Sequence, residues 1–192
     1  MVRIKKSGLS SPLRAVMLAR TAGSMLPLYR EFVRDRQFSR RWSQAVKEAD
    51  LDTLLLLFQE KVPFAVLDAF STNGIGFFAD FSYPAPLNSY TNATSIIPGT
   101  AQFTFSSTAL RRISTAIVPL YRKLSTSRLF ARHAADAVKR GDDEKLDRLL
   151  RPYVRSRFLV DIQIKSSGFQ LSFKFPGSNL IYQNKFFFDK LP

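Results

Sequence analysis

The 192-residue chain contains no cysteine and a single histidine, His133. The missing cysteine excludes disulfides, thiolate metal sites and cysteine nucleophiles. A lone histidine excludes a His-rich metal site and disfavours a hydrolytic triad, since only His133 could serve as its base. The sequence also offers no Gly-rich phosphate loop and no paired-carboxylate constellation. We therefore expect no enzymatic activity, no cofactor and no metal.

Long apolar runs and early acidic residues are missing as well. No run approaches the roughly 18–20 apolar residues of a membrane-spanning helix. The first acidic residue is Glu31, so the opening segment has the basic, acid-free composition of a transit peptide. The repeat described below argues against that reading, because positions 14–26 correspond to positions 106–118 in the middle of the chain. We expect an intracellular, cytoplasmic protein, in which the sequon Asn92-Ala93-Thr94 is a chance match.

Basic residues and phenylalanine are abundant. The chain has 29 Lys and Arg against 15 Asp and Glu, a net charge of +14, together with 18 Phe. An apolar content of 45% and a charged content of 23% are typical of a folded globular protein. The positive charge is concentrated in the second half, with seventeen basic against seven acidic residues after position 100 and twelve against eight before it. Such a balance favours an acidic partner.

An internal repeat at an offset of 92 residues is the strongest pattern in the sequence. The segment M-L-P-L-Y-R-E-F around Pro27 returns as I-V-P-L-Y-R-K-L around Pro119. Identical pairs continue in the same order, namely Arg36 with Arg128, Phe38 with Phe130, Arg40 with Arg132, Asp50 with Asp142, Tyr90 with Tyr182 and Asn92 with Asn184. A local shift of two residues pairs Gly74 with Gly168. We interpret residues 1–100 and 101–192 as two copies of one module that form one integrated domain.

Each copy is predicted to begin with three helices. In copy one, a first helix spans 12–23, and a second starts near Ser24 with Pro27 in its first turn and ends near Ala49. A third, short helix follows Asp50 as its N-cap. Copy two repeats this pattern, with Asp142 as the corresponding N-cap.

A β-hairpin is predicted after the helices of each copy. Alternating apolar residues at 64–70 and 75–81, and again at 158–164 and 169–175, flank turns that contain glycine. A further short segment is expected from Gln102 to Phe105 and from Lys185 to Phe188. The two helix-helix-helix-hairpin modules would share a four- to six-stranded antiparallel sheet, covered on one face by helices. The prediction is an α+β fold with pseudo-two-fold symmetry.

The second helix of each copy carries the best candidate site. Its apolar stripe, with Phe38 and Trp42 in copy one, lies opposite a basic stripe. The predicted polyanion-binding residues are Arg36, Arg40, Lys47, Arg128, Arg132 and Lys139. Arginine at helical spacing can neutralise phosphates along a duplex. The competing interpretation is a solvated helix face whose long side chains cover apolar surface.

The predicted function is therefore a non-enzymatic binding or scaffold protein that engages a polyanion, nucleic acid without sequence specificity. A helix–turn–helix around Gly141 is disfavoured, because the following helix begins Asp142-Asp143-Glu144 and acids there repel phosphate. The alternative is a self-assembling coat, shell or filament component. It would use sheet edges and the C-terminal Phe186, Phe187 and Phe188 as assembly contacts. A membrane-surface role of residues 1–20 has weaker support.

Overall fold

The structure, a computed structural model, describes residues 10–84, 88–99, 104–165 and 167–188. Three helices and three strands follow one another twice along these residues. The first series is α1 (Ser11–Arg34), α2 (Arg36–Glu48), α3 (Leu51–Lys61), β1 (Leu67–Thr72), β2 (Gly76–Tyr83) and β3 (Asn88–Ile96). The second is α4 (Ser107–Thr126), α5 (Arg128–Arg140), α6 (Asp143–Leu150), a single 3-10 turn at Arg151–Tyr153, β4 (Leu159–Lys165), β5 (Gly168–Lys174) and β6 (Ile181–Phe187).

The first long helix runs through its proline, so the helix boundary predicted near Ser24 is wrong. Pro27 lies inside α1 and Pro119 inside α4. A proline removes one helical hydrogen bond, but α1 is 24 residues long and its buried residues recur from Ala15 to Phe32. The chain breaks instead at Asp35, whose carboxylate accepts from the amides of Gln37 and Phe38 at 2.7 and 3.0 Å. That capping starts α2.

The predicted caps of the third helices are confirmed. The Asp50 carboxylate accepts from the amide of Thr53 at 3.0 Å, and the Asp142 carboxylate accepts from the amide of Lys145 at 2.9 Å. Each cap satisfies an amide that has no acceptor within its helix. Local sequence therefore fixes where α3 and α6 begin.

The six strands form one antiparallel sheet in the order β1-β2-β3-β6-β5-β4. This confirms the α+β class and the predicted sheet packed against helices. The third strand of the first half is wrongly placed by the sequence, because β3 spans Asn88–Ile96. Thr104 and Phe105 are not in a strand, and the rest of the predicted segment, 102–103, lies outside the described residues. The C-terminal segment is central in the sheet, since β6 pairs with both β3 and β5.

The core lies between the sheet and the helices, of which α1 and α4 pack against each other. Trp42 of α2 makes edge contacts with Phe70 and Phe77 of the sheet, at centroid distances of 6.2 and 5.0 Å. The opposite face of the sheet carries polar residues on its central strands, where Gln170 and Lys185 are directly paired. One face of the sheet thus builds the core, as alternation along the strands requires.

Candidate anion-binding surface

The two basic stripes lie on the outer sides of α2 and α5. Their apolar faces are buried, with Phe38 and Trp42 in α2 and Phe130 in α5 at most 6% exposed. The six predicted residues occupy the opposite sides. Arg36, Arg40, Arg128, Arg132 and Lys139 are exposed, whereas Lys47 is half-buried. The helices thus present cations outward because their other faces are needed for the core.

None of these six cations has a carboxylate oxygen within 4.0 Å among the residues that the structure describes. Across the part of the chain that the structure describes, ion pairs within 4.0 Å involve other basic residues, namely Arg34, Lys61 and Arg151. No ion pair within 4.0 Å among the described residues therefore neutralises the two stripes, although the Asp136 carboxylate interacts electrostatically with Arg132. An external anion would meet cations that do not first have to break a salt bridge.

A groove of about 680 Å³ separates α2 from the start of α4. Two of the predicted residues, Arg40 and Lys47, line this groove. The other lining residues were not singled out from the sequence, and they are Arg41, Ser43, Gln44, Thr104, Phe105, Ser106 and Ser107. Arg41 could have been found from its helical position beside Arg40. The lining of this groove by residues 104–107 could not have been predicted, because it depends on the position of the start of α4 relative to α2.

A second groove, of about 650 Å³, lies between α5 and the first half of α1. Arg128 and Arg132 line it together with Arg20. Its floor is apolar, and it is formed by Pro12, Ala15, Val16, Ala19 and Gly23. The groove combines three cations with an apolar floor, unlike the more polar groove beside α4. Arg36 and Lys139 line neither groove.

An internal carboxylate accompanies the second stripe. Asp136 of α5 accepts a hydrogen bond from Ser11 at the start of α1, and this bond lowers the pKa of the carboxyl. The charges of Arg132, Arg140 and His133 act in the same direction. A carboxylate at the start of a helix is favoured by the helix dipole. The start of α1 is thus paired with a carboxylate of the same chain, that of Asp136.

The two grooves lie at opposite ends of the α1–α4 pair. The Arg111 guanidinium at the start of α4 donates to the carbonyls of Phe32 and Val33 at the end of α1, at 3.1 and 2.9 Å. The first groove therefore sits near the end of α1 and the second near its start. At a rise of about 1.5 Å per residue, the separation is on the order of 20–30 Å.

A buried polar cluster occupies the centre of the core, beneath these surfaces. The Tyr29 hydroxyl donates to Asn92 Oδ1 at 2.9 Å and accepts from Asn184 Nδ2 at 3.0 Å. The Tyr121 hydroxyl donates to Asn184 Oδ1 at 2.9 Å and accepts from Asn92 Nδ2 at 2.7 Å. Burial raises the pKa of Tyr29 to about 12 and that of Tyr121 well above 10.0. The cluster is neutral and fully bonded, so its role is structural.

Asn92, the first residue of the sequon at 92–94, is buried. It is 0% exposed, and its amide nitrogen donates to the Tyr121 hydroxyl of α4 and to the Lys185 carbonyl of β6. Its side chain is therefore inaccessible to a glycosyl donor in the folded protein. The internal repeat pairs Asn92 with Asn184, but the sequence pattern predicts no role for either residue.

The three consecutive phenylalanines point in two directions. Phe186 and Phe188 are 0% and 5% exposed, and both contact Tyr90 inside the core. Phe187 is half-buried on the other face of the sheet, opposite Thr91. Of the three predicted assembly contacts, Phe187 is thus the one with side-chain surface available to another molecule.

Within residues 10–84, 88–99, 104–165 and 167–188, no group of three or more His, Asp and Glu side chains could hold a metal ion. Over the same residues, no helix combines the length and apolar character required to cross a bilayer.

Comparisons of the chain with protein-family models, with curated proteins and with solved structures found no match.

Proposed function

We propose that this protein is a non-enzymatic binding protein that engages nucleic acid through the basic faces of α2 and α5. The observation that carries the proposal is the set of six cations on two helix faces, none of them in an ion pair among the described residues. Release of counterions from the phosphates would supply the binding free energy. Flexible Arg and Lys side chains on exposed helix faces contact phosphates without reading base edges, so the binding is independent of sequence.

The separation of the two grooves, one lined by Arg40 and Lys47 and the other by Arg128 and Arg132, sets the size of the ligand. A partner that contacts both must span on the order of 20–30 Å, which corresponds to about 6–9 base pairs at 3.4 Å per step. Shorter duplexes can occupy one stripe at a time. Affinity should therefore rise steeply as the duplex length passes this range.

Fluorescence anisotropy with random-sequence duplexes and single strands tests this proposal. We expect the logarithm of the affinity to fall linearly with the logarithm of the salt concentration, by about 0.9 per phosphate contact on a duplex. Reversal of two cations, Arg128→Glu with Arg132→Glu, should reduce that slope by about 2. Absence of binding at low salt would contradict the proposal.

A matched control separates a local site from net charge. Lys165→Glu with Lys174→Glu changes the charge of the protein by the same amount. Both lysines are exposed and lie on strands β4 and β5, away from the helical surface. We expect this double variant to keep the salt slope of the wild type. An equal reduction of the salt slope in both double variants would show that binding depends on net charge and not on a defined site.

We further infer that the fold arose by internal duplication, with a pseudo-two-fold axis between β3 and β6. At a constant offset of 92, α2 corresponds to α5 and the pair of Ala93 with Lys185 lies at the proposed axis. The register irregularities between Leu67 and Ala69 and between Leu159 and Asp161 also correspond. At this offset Gly168 corresponds to Gly76, without the shift of two residues.

Self-assembly through sheet edges is the second candidate function. Strands β1 and β4 are the edges of the sheet. Phe64, just before β1, is 96% exposed, and Val66 beside it is 69% exposed. An apolar side chain next to an unpaired strand edge favours edge-to-edge contact. Assembly by this route would place the charged helices on the surface of the oligomer.

Sedimentation velocity distinguishes this candidate. If edge contacts drive assembly, Phe64→Ser should lower the mass of the particle, whereas Leu129→Ser on α5 should not. Leu129 is a matched control because it is also exposed, at 63%, and lies on a helix. A wild-type protein that sediments as a monomer would contradict assembly.

A further inference from the structure

The groove between α2 and α4 is lined by a residue with a buried, unsatisfied hydroxyl. Ser43 is 3% exposed, lines the groove, and its hydroxyl has no hydrogen-bond partner among the described residues. A buried hydroxyl without a partner costs about 1–3 kcal/mol. Such a cost is usually accepted where a ligand or water supplies the missing bond.

The start of α4 faces the same groove. The amide of Leu110 donates to the Ser106 carbonyl, and the amide of Ala109 donates to the Ser106 hydroxyl at 3.3 Å. The amides of Ser107 and Thr108 have no acceptor within the helix. The first turn of α4 carries no acidic residue, so the positive end of the helix dipole is not compensated there.

Three cations surround this helix start. Arg40, Arg41 and Lys47 line the groove from α2, on the side opposite Ser106 and Ser107. Free amides at a helix start, a positive dipole end and converging cations together bind tetrahedral oxyanions in many proteins. The neutral hydroxyl of Ser43 adds a donor.

The corresponding place at α1 already holds an anion. There Asp136 of α5 bonds to Ser11 at the start of the helix. Counting back 92 residues from Asp136 gives Gln44, a neutral side chain that lines the α4 groove and donates to Glu48. One helix start is thus compensated by a carboxylate from its own chain, whereas the other meets a neutral amide, an unpaired hydroxyl and three cations.

We propose that the groove at the start of α4 binds a phosphate group, held by Arg40, Arg41, Lys47, Ser43 and the free amides of α4. The ligand chemistry is an oxyanion, either a small phosphate or the phosphodiester of a polyanion. The proposal builds on the proposed function, since Arg40 and Lys47 belong to the α2 stripe. The pocket is defined and small, so inorganic phosphate by itself can test whether it binds an anion.

Titration of the full-length, ¹⁵N-labelled protein with inorganic phosphate is the first test. We expect saturable shifts of the Ser107 and Thr108 amide signals, with a dissociation constant in the millimolar range or below. Arg40→Gln with Lys47→Gln should weaken binding about tenfold or more. The matched control, Lys165→Gln with Lys174→Gln on strands β4 and β5, should bind phosphate like the wild type. Two results would overturn the proposal. One is a set of shifts that grows linearly with phosphate and does not saturate, and the other is an equal loss of phosphate binding in both double variants.

Two single variants test the geometry without altering the cations. Ser43→Ala removes the unpaired hydroxyl, so it should raise the melting temperature without phosphate and reduce the rise that phosphate causes. Gln44→Asp imitates Asp136 and should compete with phosphate by placing a carboxylate at the helix start. A Gln44→Asp variant that is folded and binds phosphate with unchanged affinity would overturn the assignment.

The outcomes with phosphate and with nucleic acid are separable. Saturable phosphate binding without duplex binding would support a site for a small phosphate and refute the proposed function. Salt-dependent duplex binding without saturable phosphate shifts at Ser107 and Thr108 would refute the pocket and leave the proposed function intact. If duplex binding displaces phosphate from the pocket, the phosphodiester is a ligand of the site.

Discussion

Tyr29 and Tyr121 meet edge to face at the centre of the molecule, with ring centroids 4.8 Å apart. Each hydroxyl donates to one of the two buried asparagines, Asn92 and Asn184, and accepts from the other. Four side chains from α1, α4, β3 and β6 thereby close a ring of hydrogen bonds. Because the ring joins both halves of the chain, we expect it to hold the sheet and helices in one register.

Removal of either tyrosine hydroxyl should destabilise the fold. Tyr29→Phe and Tyr121→Phe each leave a buried asparagine oxygen without a donor, at a cost of about 1–3 kcal/mol. The double variant should lose less than the sum of the two, since groups in one network are coupled by about 0.5 kcal/mol or more. Urea unfolding followed by fluorescence of Trp42, the only tryptophan, measures all three. Tyr153→Phe is the control, because within the described residues its hydroxyl has no protein partner. If the free-energy costs of Tyr29→Phe and Tyr121→Phe are additive in the double variant, the predicted coupling is contradicted.

The stability of the protein should fall in acid through Glu31. This carboxylate is 7% exposed and pairs with Arg34 at 2.7 Å and with Lys61 at 3.1 Å. Burial opposes its ionisation, but the hydrogen bonds and charges of Arg34 and Lys61 outweigh burial and lower its pKa. A lowered carboxyl pKa contributes stability that is present above the ordinary value of 4.5 and is lost as the pH falls through the folded-state pKa.

The Glu31→Gln variant tests this pH dependence. We expect it to be about 1–2 kcal/mol less stable than the wild type at pH 7, since hydrogen bonds to charged groups are lost. The difference should shrink as the pH is lowered from 5 towards 3, measured as unfolding free energy at several pH values. A difference that stays constant across this range would show that the Glu31 charge does not contribute.

The helix ends at Ala49 and Gly141 should respond in opposite ways to substitution. Both residues have left-handed backbone, with φ of 53° and 69°. An alanine is strained there, whereas glycine is not. We expect Ala49→Gly to stabilise the protein by about 0.5–1 kcal/mol and Gly141→Ala to destabilise it by a similar amount. Thermal unfolding of both variants checks the prediction, which fails if the two changes have the same sign.

Gly168 and Gly76 should not tolerate a methyl group. A Cβ at Gly168 would overlap the backbone of Phe186, and a Cβ at Gly76 would overlap that of Ser95. In each case the neighbouring strand would have to move away. We expect Gly168→Ala to cost at least about 3 kcal/mol, or to prevent folding. Gly23→Ala is the milder control, because its Cβ would meet only the Ser125 side chain at 3.4 Å. Equal losses of stability in Gly23→Ala and Gly168→Ala would contradict the close approach of the strands at Gly168.

Local sequence determined the amphipathic faces of α2 and α5 and the N-caps of α3 and α6. The apolar and basic stripes of α2 and α5 follow from the periodicity of their side chains, and the carboxylates of Asp50 and Asp142 mark the starts of α3 and α6 because they bond to amides three residues away. The hairpin of β4 and β5 likewise follows from alternation on either side of a turn. All of these interactions are short-range along the chain, so the sequence alone could predict them.

Tertiary structure decided the continuity of α1 through Pro27, the position of β3 and the grooves. The side chains of β3 that face the core include Asn92 and Thr94. Because these residues are polar, β3 lacks the alternating apolar pattern by which a strand is predicted from sequence. Their burial depends on the hydroxyl of Tyr29, more than 60 residues away. The candidate phosphate pocket likewise exists only because α2 packs beside the start of α4. Contacts between such distant residues are set by the packing of the whole domain, which no local pattern records.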